Sequence, residues 1–195
     1  MNILSLDCAG KILTVTLTAG GKLYVANSGD AGSKKHNSLI LPFADELLTK
    51  EGITVRDIDA IACVVGPGSF TGIRIGVSTA HALARATGAK LISVNTLQAR
   101  GFGIKGDFAV ALQCRPTESY AATFKGDCFN MTSCKASGED EIAALNMCVI
   151  RHEGSLTAEN LADFARALAE KGQFAASLSP LYLKKSQAER LAGGE

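Results

Sequence analysis

Gly66-Pro67-Gly68-Ser69-Phe70-Thr71-Gly72-Ile73-Arg74-Ile75-Gly76 separates two regular segments of different character. Residues 58–65 before it are almost all apolar, which is typical of a strand buried on both faces of a parallel sheet. Residues 70–87 carry a helical pattern, and Gly88 is a typical residue to end a helix. The stretch therefore predicts a strand, a tight glycine turn and a long helix, which is the repeating unit of α/β proteins.

The turn at the start of this helix is a candidate anion-binding site, because free backbone N–H groups and the positive end of the helix dipole lie there. The alternative is a sharp, capped turn without a ligand. The turn is not a Walker loop, since it lacks Gly-Lys-Ser/Thr, and it is not a G-x-G-x-x-G dinucleotide turn. The weak candidates for cofactor binding are therefore Asp7, Gly66, Gly68 and Ser69.

The helix over residues 70–87 has an apolar arc wider than a single core requires. Gly72, Gly76 and Ala80 follow one another at i+4, a spacing that lets another backbone come close. We infer that the helix packs on its own sheet and on a second helix. The second helix is the one at residues 38–50, a helix of a partner subunit, or both. The alternative is an ordinary buried helix between two layers of this chain. The glycines then serve the approach of a partner backbone more than a bound phosphate.

The order of elements repeats along the chain. Three strand patterns at residues 3–6, 12–18 and 22–27 precede the helix at 38–50, in which Pro42 is expected in the first turn or at a kink. The second half repeats this order, with strands at 108–114, 118–124, 128–132 and 147–150 and helices at 139–145 and 157–171. The tail after Leu183 is predicted to be loosely ordered. Each half reads β-β-β-α-β-α, which predicts an α/β fold of duplicated, actin-like (ribonuclease H-like) lobes. We place the first lobe at residues 1–103 and the smaller second lobe with the tail at 104–195.

Composition narrows the function classes. The net charge of +1, from 20 basic and 19 acidic residues, is low for a protein that holds a phosphate backbone by itself. The six cysteines form no C-x-x-C pair and are expected to be reduced thiols. No targeting signal or membrane-spanning run is apparent, so we expect a cytoplasmic protein without membrane contact.

Several motifs resemble the TsaB (YeaZ) family, whose signature is similar to the stretch at residues 66–76. Residues 3–7 resemble the first strand of the family, which ends in Asp, and residues 36–42 resemble its His-Ser-x-x-Leu-x-Pro stretch. Residues 93–97 are similar to its Val-Ser-Thr-Leu segment, and residues 180–184 are similar to its C-terminal Pro-x-Tyr-Leu-Arg. The sequence departs from the family at two positions. Cys8 stands where the family has Thr, and Gln113 stands where the family has Asp. The loss of that acid weakens a case for metal or nucleotide chemistry between the lobes.

The resemblance implies an actin-like, non-catalytic subunit that pairs with TsaD in the threonylcarbamoylation of adenosine 37 of tRNA. The ATPase TsaE is a further implied partner, and tRNA is contacted indirectly. No cofactor or metal is expected for this chain alone, and binding of ATP or ADP is expected only in the complex. Pairing in the family uses the two helices of the first lobe, which gives the predicted interface residues Leu39, Ile40, Phe43, Leu47, Gly72, Ile75, Gly76, Thr79, Ala80 and Leu83.

Three alternatives remain open. A TsaD-like transferase or metallopeptidase would need a metal site, but His36, His81 and His152 do not form the local His-x-x-x-His motif. A small actin-like kinase or ATPase would use Asp7, yet Gln113 is a poor substitute for the second acid. A homodimer through the same two helices would form in the absence of TsaD.

Overall fold

A computed structural model describes residues 1–29 and 36–184. Its first sheet has the strand order β3-β2-β1-β4-β5. β1, β2 and β3 form an antiparallel meander, and β4 and β5 continue the sheet parallel to β1. The five strands are β1 Ile3–Asp7, β2 Thr14–Ala19, β3 Lys22–Asn27, β4 Ala60–Gly66 and β5 Lys90–Asn95.

The second sheet repeats this plan with four strands in the order β8-β7-β6-β9. β6, β7 and β8 are antiparallel neighbours, and β9 pairs parallel to β6. Two sheets that each combine a meander with a parallel addition confirm the predicted duplicated, actin-like architecture. The strands are β6 Phe108–Arg115, β7 Glu118–Phe124, β8 Met131–Gly138 and β9 Cys148–His152.

Helices cover both faces of the first sheet. α1 packs on β2 and β3, α2 packs on β1, β4 and β5, and α5 packs on β1, β2 and β5. Every residue of β1 and β4 is buried, as expected for central strands with layers on both sides. The helices are α1 His36–Glu51, α2 Phe70–Thr87, α3 Thr96–Arg100, α4 Glu139–Ala143 and α5 Ala158–Glu170, and Val55–Asp57 forms one turn of 3-10 helix.

The predicted ends of α2 are confirmed. The Ser69 side chain accepts a hydrogen bond from the Gly72 N–H at the first turn, and Gly88 ends the helix with a φ of 78°. α1 begins earlier than predicted, so Pro42 lies beyond its first turn.

One predicted strand is misplaced. Residues 128–130 form a turn and β8 begins only at Met131, because Asp127 Oδ1 accepts the Phe129 N–H at 3.0 Å and the Asp127 carbonyl accepts the Asn130 N–H at 3.3 Å. The apolar character that suggested a strand has another cause, since the buried Cys128 side chain anchors the turn in the core.

The boundary between residues 103 and 104 stays a prediction. α5 lies in the second half of the sequence but packs on the first sheet, and one core extends through both halves. Phe164 of α5 illustrates this, because its ring contacts Phe102 and Phe129 at centroid distances of 5.7 and 5.6 Å. In the described residues, no helix is both long and apolar enough to cross a membrane.

Candidate functional site

The glycine turn between β4 and α2 packs tightly against the chain that leaves β1. A Cβ atom at Gly72 would overlap the carbonyl oxygen of Cys8, and one at Gly68 would stand 2.6 Å from the carbonyl oxygen of Ala9. A Cβ at Gly76 would stand 3.2 Å from Cys63 Sγ. The close approach inferred from these glycines is therefore real, but the approaching atoms belong to this chain and not to a partner backbone. That part of the interpretation is corrected.

Three N–H groups of the turn and of the first turn of α2 are used within the chain. The Ser69 N–H donates to the Ala9 carbonyl at 2.8 Å, and the Ile73 N–H donates to the Ser69 carbonyl at 2.9 Å. The Gly72 N–H donates to Ser69 Oγ at 3.2 Å. Gly66 lies against the carbonyl of Leu181, which a Cβ would approach to 2.8 Å. These contacts make the turn a packed and capped entry to α2, and cofactor binding at Gly66, Gly68 and Ser69 stays a prediction.

A cleft of about 650 Å³ separates the two sheets beside this turn. The carboxyl ends of β1 and β6 open into it, as does the start of α2. Among the described residues, no group of three or more His, Cys, Asp or Glu side chains is arranged to hold a metal ion. The lining residues include Asp7, Lys11, Pro67, Gly68, Ser69, Thr96, Arg100, Gln113, Cys114, Tyr120 and Glu153.

Asp7 is the buried acid of this cleft. Its side chain is 2% exposed, and its Oδ1 accepts the Ala9 N–H at 2.8 Å. Burial raises the pKa of Asp7 to about 6, although the hydrogen bond from Ala9 and the charge of Arg100 act in the opposite direction. Asp7 therefore exchanges a proton near neutral pH, whereas an exposed aspartate would not.

Arg100 lines the same cleft as Asp7 and was missed by the sequence analysis. It is 5% exposed, and its Nη2 donates to the carbonyl of Gly154 in the loop before α5 at 2.6 Å. Burial lowers the pKa of Arg100, while the charge of Asp7 raises it. The guanidinium thus ties the end of α3 to the second half of the chain. No motif signals this role, because only the fold brings residues 100 and 154 together.

The segment of residues 177–184, here called the strap, runs beside α2 and crosses to the second sheet. His81 Nε2 accepts the Leu178 N–H at 2.9 Å, and the Leu181 N–H donates to the Val65 carbonyl at 2.8 Å. At its end, Lys184 Nζ donates to Glu118 Oε2 at 2.6 Å. The predicted loose tail is therefore wrong for Lys184, and residues 185–195 lie outside the described residues.

The strap also covers the first turn of α2. The Tyr182 ring stacks on Phe70 at a centroid distance of 4.7 Å, and Arg74 Nε donates to the Tyr182 hydroxyl at 2.8 Å. The stretch at residues 180–184 and the glycine turn, which stand more than 100 residues apart in sequence, thus form one packed unit.

The predicted interface residues divide into two groups. Half of them are buried within the chain, and the structure places them in its own core: Ile40, Leu47, Gly72, Gly76 and Ala80. The other half are partly exposed on the flanks of α1 and α2: Leu39, Phe43, Ile75, Thr79 and Leu83. Pairing through these helices stays a prediction, which now rests on the second group.

The side of α2 that points away from the sheet is made of small and apolar residues. Successive helical residues turn by about 100°, so this side follows from the positions of the buried residues. α2 contains no acidic residue along its length, and only Arg74 and Arg85 border this side with charge. We call it the outer face of α2: Thr71, Ile75, Ser78, Thr79, Ala82 and Ala86. Ala82 and Ala86 are exposed and were missing from the predicted interface, although their helical spacing from Ile75 and Thr79 could have identified them.

Comparison with known sequences gives a consistent set of relatives. The family model of TsaD, tRNA N6-adenosine threonylcarbamoyltransferase, matches residues 30–190. The tRNA threonylcarbamoyladenosine biosynthesis protein TsaB of Escherichia coli (strain K12) is 35% identical over 132 residues, which are 65% of this chain and 56% of that protein. TsaB of Haemophilus influenzae is 33% identical over 99 residues, or 51% of this chain and 41% of that protein. The chain thus spans about half the length of these curated relatives.

Comparison with solved structures gives the same fold. YeaZ from Pseudomonas aeruginosa superimposes with a TM-score of 0.75 at 21% identity, covering 93% of this chain and 99% of that chain. A second Pseudomonas aeruginosa structure, described as similar to peptidase YEAZ, has a TM-score of 0.76 at 22% identity and covers 94% and 99% of the two chains. At this level of identity the similarity concerns the fold.

Proposed function

The chain belongs to the TsaD family and, within it, to the TsaB (YeaZ) group, and from that membership we propose that it is a non-catalytic partner subunit in the threonylcarbamoylation of tRNA. In this proposal it pairs with a TsaD homologue, which carries the reaction. The pairing surface is the outer face of α2 together with the partly exposed Leu39 and Phe43 of α1.

The outer face of α2 is the observation that carries the proposal. Two helices pack at interaxial distances of about 8–10 Å, and small side chains permit the shorter distances. The exposed Ala82 and Ala86, with the half-buried Ile75 and Thr79, offer such a surface along the helix. A carboxylate on this side would have to be desolvated on pairing, and α2 has none. Leu41 of α1 is 56% exposed but points about 200° from Leu39, so it lies outside this surface.

The extent of the similarity favours a partner subunit over the transferase itself. The chain is 35% identical to the Escherichia coli TsaB over 132 residues, while its similarity to the tRNA N6-adenosine threonylcarbamoyltransferase of Rhizobium meliloti, at 39% identity, extends over 69 residues and 19% of that protein. The packing of the glycine turn against the β1 exit loop gives a structural reason for its glycines that needs no phosphate ligand.

The same proposal extends to the other partners. TsaE acts on the assembled pair, ATP or ADP belongs to that assembly, and a homodimer through the outer face of α2 forms when the TsaD homologue is absent. The proposal places these steps in the cytoplasm, where tRNA is modified.

Reconstitution tests the proposed role. Unmodified tRNA, threonylcarbamoyl-adenylate, the TsaD homologue and TsaE are combined with and without this chain, and modified adenosine is measured by mass spectrometry of the digested tRNA. We expect modification only when the chain and the TsaD homologue are both present. Modification by this chain without the TsaD homologue would overturn its non-catalytic role, and full modification without this chain would overturn its role as a partner.

A further inference from the structure

Within residues 1–29 and 36–184, four exposed lysines have no carboxylate at ion-pair distance. Four other lysines of the described residues are each held by an acid, in the pairs Lys22–Glu51, Lys50–Glu46, Lys135–Glu141 and Lys184–Glu118. The four lysines without such a partner are Lys90, Lys105, Lys125 and Lys171, which we call the lysine ridge. Ammonium groups without a carboxylate partner remain available to an external anion.

Three of these lysines lie on neighbouring segments where α5 ends beside the second sheet. Lys171 Nζ lies 4.5 Å from the centroid of the Phe129 ring in the turn before β8. The Lys125 N–H donates to the Asn130 carbonyl of the same turn at 3.0 Å. The residue after Lys105 donates its N–H to the Gly126 carbonyl at 2.9 Å. Lys105, Lys125 and Lys171 are therefore on adjoining backbone segments.

Lys90 continues the ridge along the edge of the first sheet. Its Nζ lies 4.5 Å from the centroid of the Phe174 ring, just after the end of α5. The Ala175 N–H donates to the Leu91 carbonyl at 2.9 Å, which fixes the segment after α5 to the first residues of β5. Lys90 and Lys171 thus flank the same short segment.

The ridge is held in place, and the carboxylates on the same segments accept hydrogen bonds from backbone N–H groups. Ammonium groups over ring faces are attracted to the rings without losing their charge. Asp107 Oδ1 accepts the Gly126 N–H at 3.1 Å and Asp127 Oδ1 accepts the Phe129 N–H at 3.0 Å, so both carboxylates serve the local turns. Glu170, next to Lys171, lines a separate groove near the N-terminus.

We propose that the lysine ridge contacts the phosphate backbone of an RNA, a direct contact where the family resemblance implied only an indirect one. Lysines bind phosphate oxygens through charge and without reading base sequence, which fits four amino groups on an otherwise polar surface. An RNA is favoured over an acidic protein because the proposed function, on which this inference rests, supplies tRNA as its polyanion. The net charge of +1 makes the contact a local and weak one.

The test compares two triple variants with the same change of charge. Lys105→Gln, Lys125→Gln and Lys171→Gln are combined in one protein, and the paired Lys22→Gln, Lys50→Gln and Lys135→Gln are combined in the control. Fluorescence anisotropy measures binding of a labelled, unmodified tRNA to each full chain from low salt upward. We expect the ridge variant to lose at least tenfold in affinity at about 50 mM salt, and its slope of log K against log salt to shrink by about 2–3. The control should keep the wild-type slope.

Other outcomes would overturn the inference. No tRNA binding by the wild type at low salt, equal losses in the two triple variants, or tighter binding to polyglutamate than to tRNA at equal charge would each do so. Lys105, Lys125 and Lys171 lie outside α1 and α2, so the ridge variant should still co-purify with the TsaD homologue. Loss of RNA binding with intact pairing would therefore support the ridge, and unchanged RNA binding with intact pairing would refute it without affecting the proposed function.

Discussion

Gly72 is the point where α2 comes closest to the chain leaving β1. The carbonyl oxygen of Cys8 occupies the space that a Cβ would need at this position. The small residues of α2 could be recognised from the sequence as sites of close approach, but helical periodicity does not tell which backbone approaches. That knowledge depends on the parallel pairing of β1 with β4, which brings residues 8 and 72 together.

Gly72→Ala should therefore destabilise the protein, even though alanine favours a helix by about 1 kcal/mol. The clash is with main-chain atoms and can be relieved only by moving α2 or the β1 exit, so we expect a loss of at least about 2 kcal/mol in the free energy of unfolding. Urea unfolding followed by circular dichroism measures it. Gly138→Ala is the matched control, since nothing lies within 4 Å of its Cβ position, and it should cost less than about 1 kcal/mol. Equal stability of the two variants would refute the close packing.

Asp7 gives a prediction about pH. Burial raises the pKa of Asp7 from an ordinary 3.8 to about 6, so the folded state binds more protons than the unfolded state between these values. Stability should fall as the pH rises through this range, by about 3 kcal/mol at about 1.4 kcal/mol per pKa unit. Asp7→Asn keeps an oxygen that can accept the Ala9 N–H and does not titrate. We expect the variant to match the wild type near pH 4 and to exceed its unfolding free energy by about 2–3 kcal/mol at pH 7.5. A pH-independent difference between the two would contradict this account of Asp7.

Among the elements, α2 was predicted most accurately, because its ends carry local signals. Ser69 caps one end and Gly88 adopts a left-handed conformation at the other. β8 was misplaced because its boundary depends on the side chain of Asp127, which replaces strand pairing with a turn. The strap gave no periodic signal, since its residues bond to other elements and form no helix or strand of their own.

His81 should be the main anchor of the strap on α2. Its Nε2 accepts the N–H of Leu178, a residue that is 3% exposed. His81→Leu leaves that donor without a partner, which we expect to cost about 1–3 kcal/mol and to speed proteolysis within residues 177–184. Urea unfolding and limited proteolysis check both effects. Arg85→Leu, on the exposed side of the same helix, should stay within about 0.5 kcal/mol of the wild type. An unchanged cleavage rate in His81→Leu would contradict the role of His81.

At the scale of the whole molecule, the repeated order of strands and helices was enough to predict two related sheets. It was not enough to place α5, which belongs to the second half of the sequence but covers the first sheet. The hydrogen bond from Arg100 to the Gly154 carbonyl could not be predicted from the sequence either, because it depends on how the two halves pack together. Pairing through α2 stays a prediction, and the predicted interface included Gly76 and Ala80, which the structure buries in the core. Substitutions at those two positions would disturb the core, so exposed residues are needed to test pairing.

The proposal that the outer face of α2 binds a TsaD homologue is tested most directly at Ala82. Ala82→Arg places a long charged side chain at an exposed position in the middle of that face, and Ala143→Arg makes the same change at an exposed position of α4. Isothermal titration calorimetry with the purified TsaD homologue measures the affinity of each, and circular dichroism verifies that both remain folded. We expect Ala82→Arg to weaken binding by about 30-fold or more, the effect of losing about 2 kcal/mol at the centre of an interface, and Ala143→Arg to bind like the wild type. Wild-type affinity of Ala82→Arg would contradict the assignment of this face.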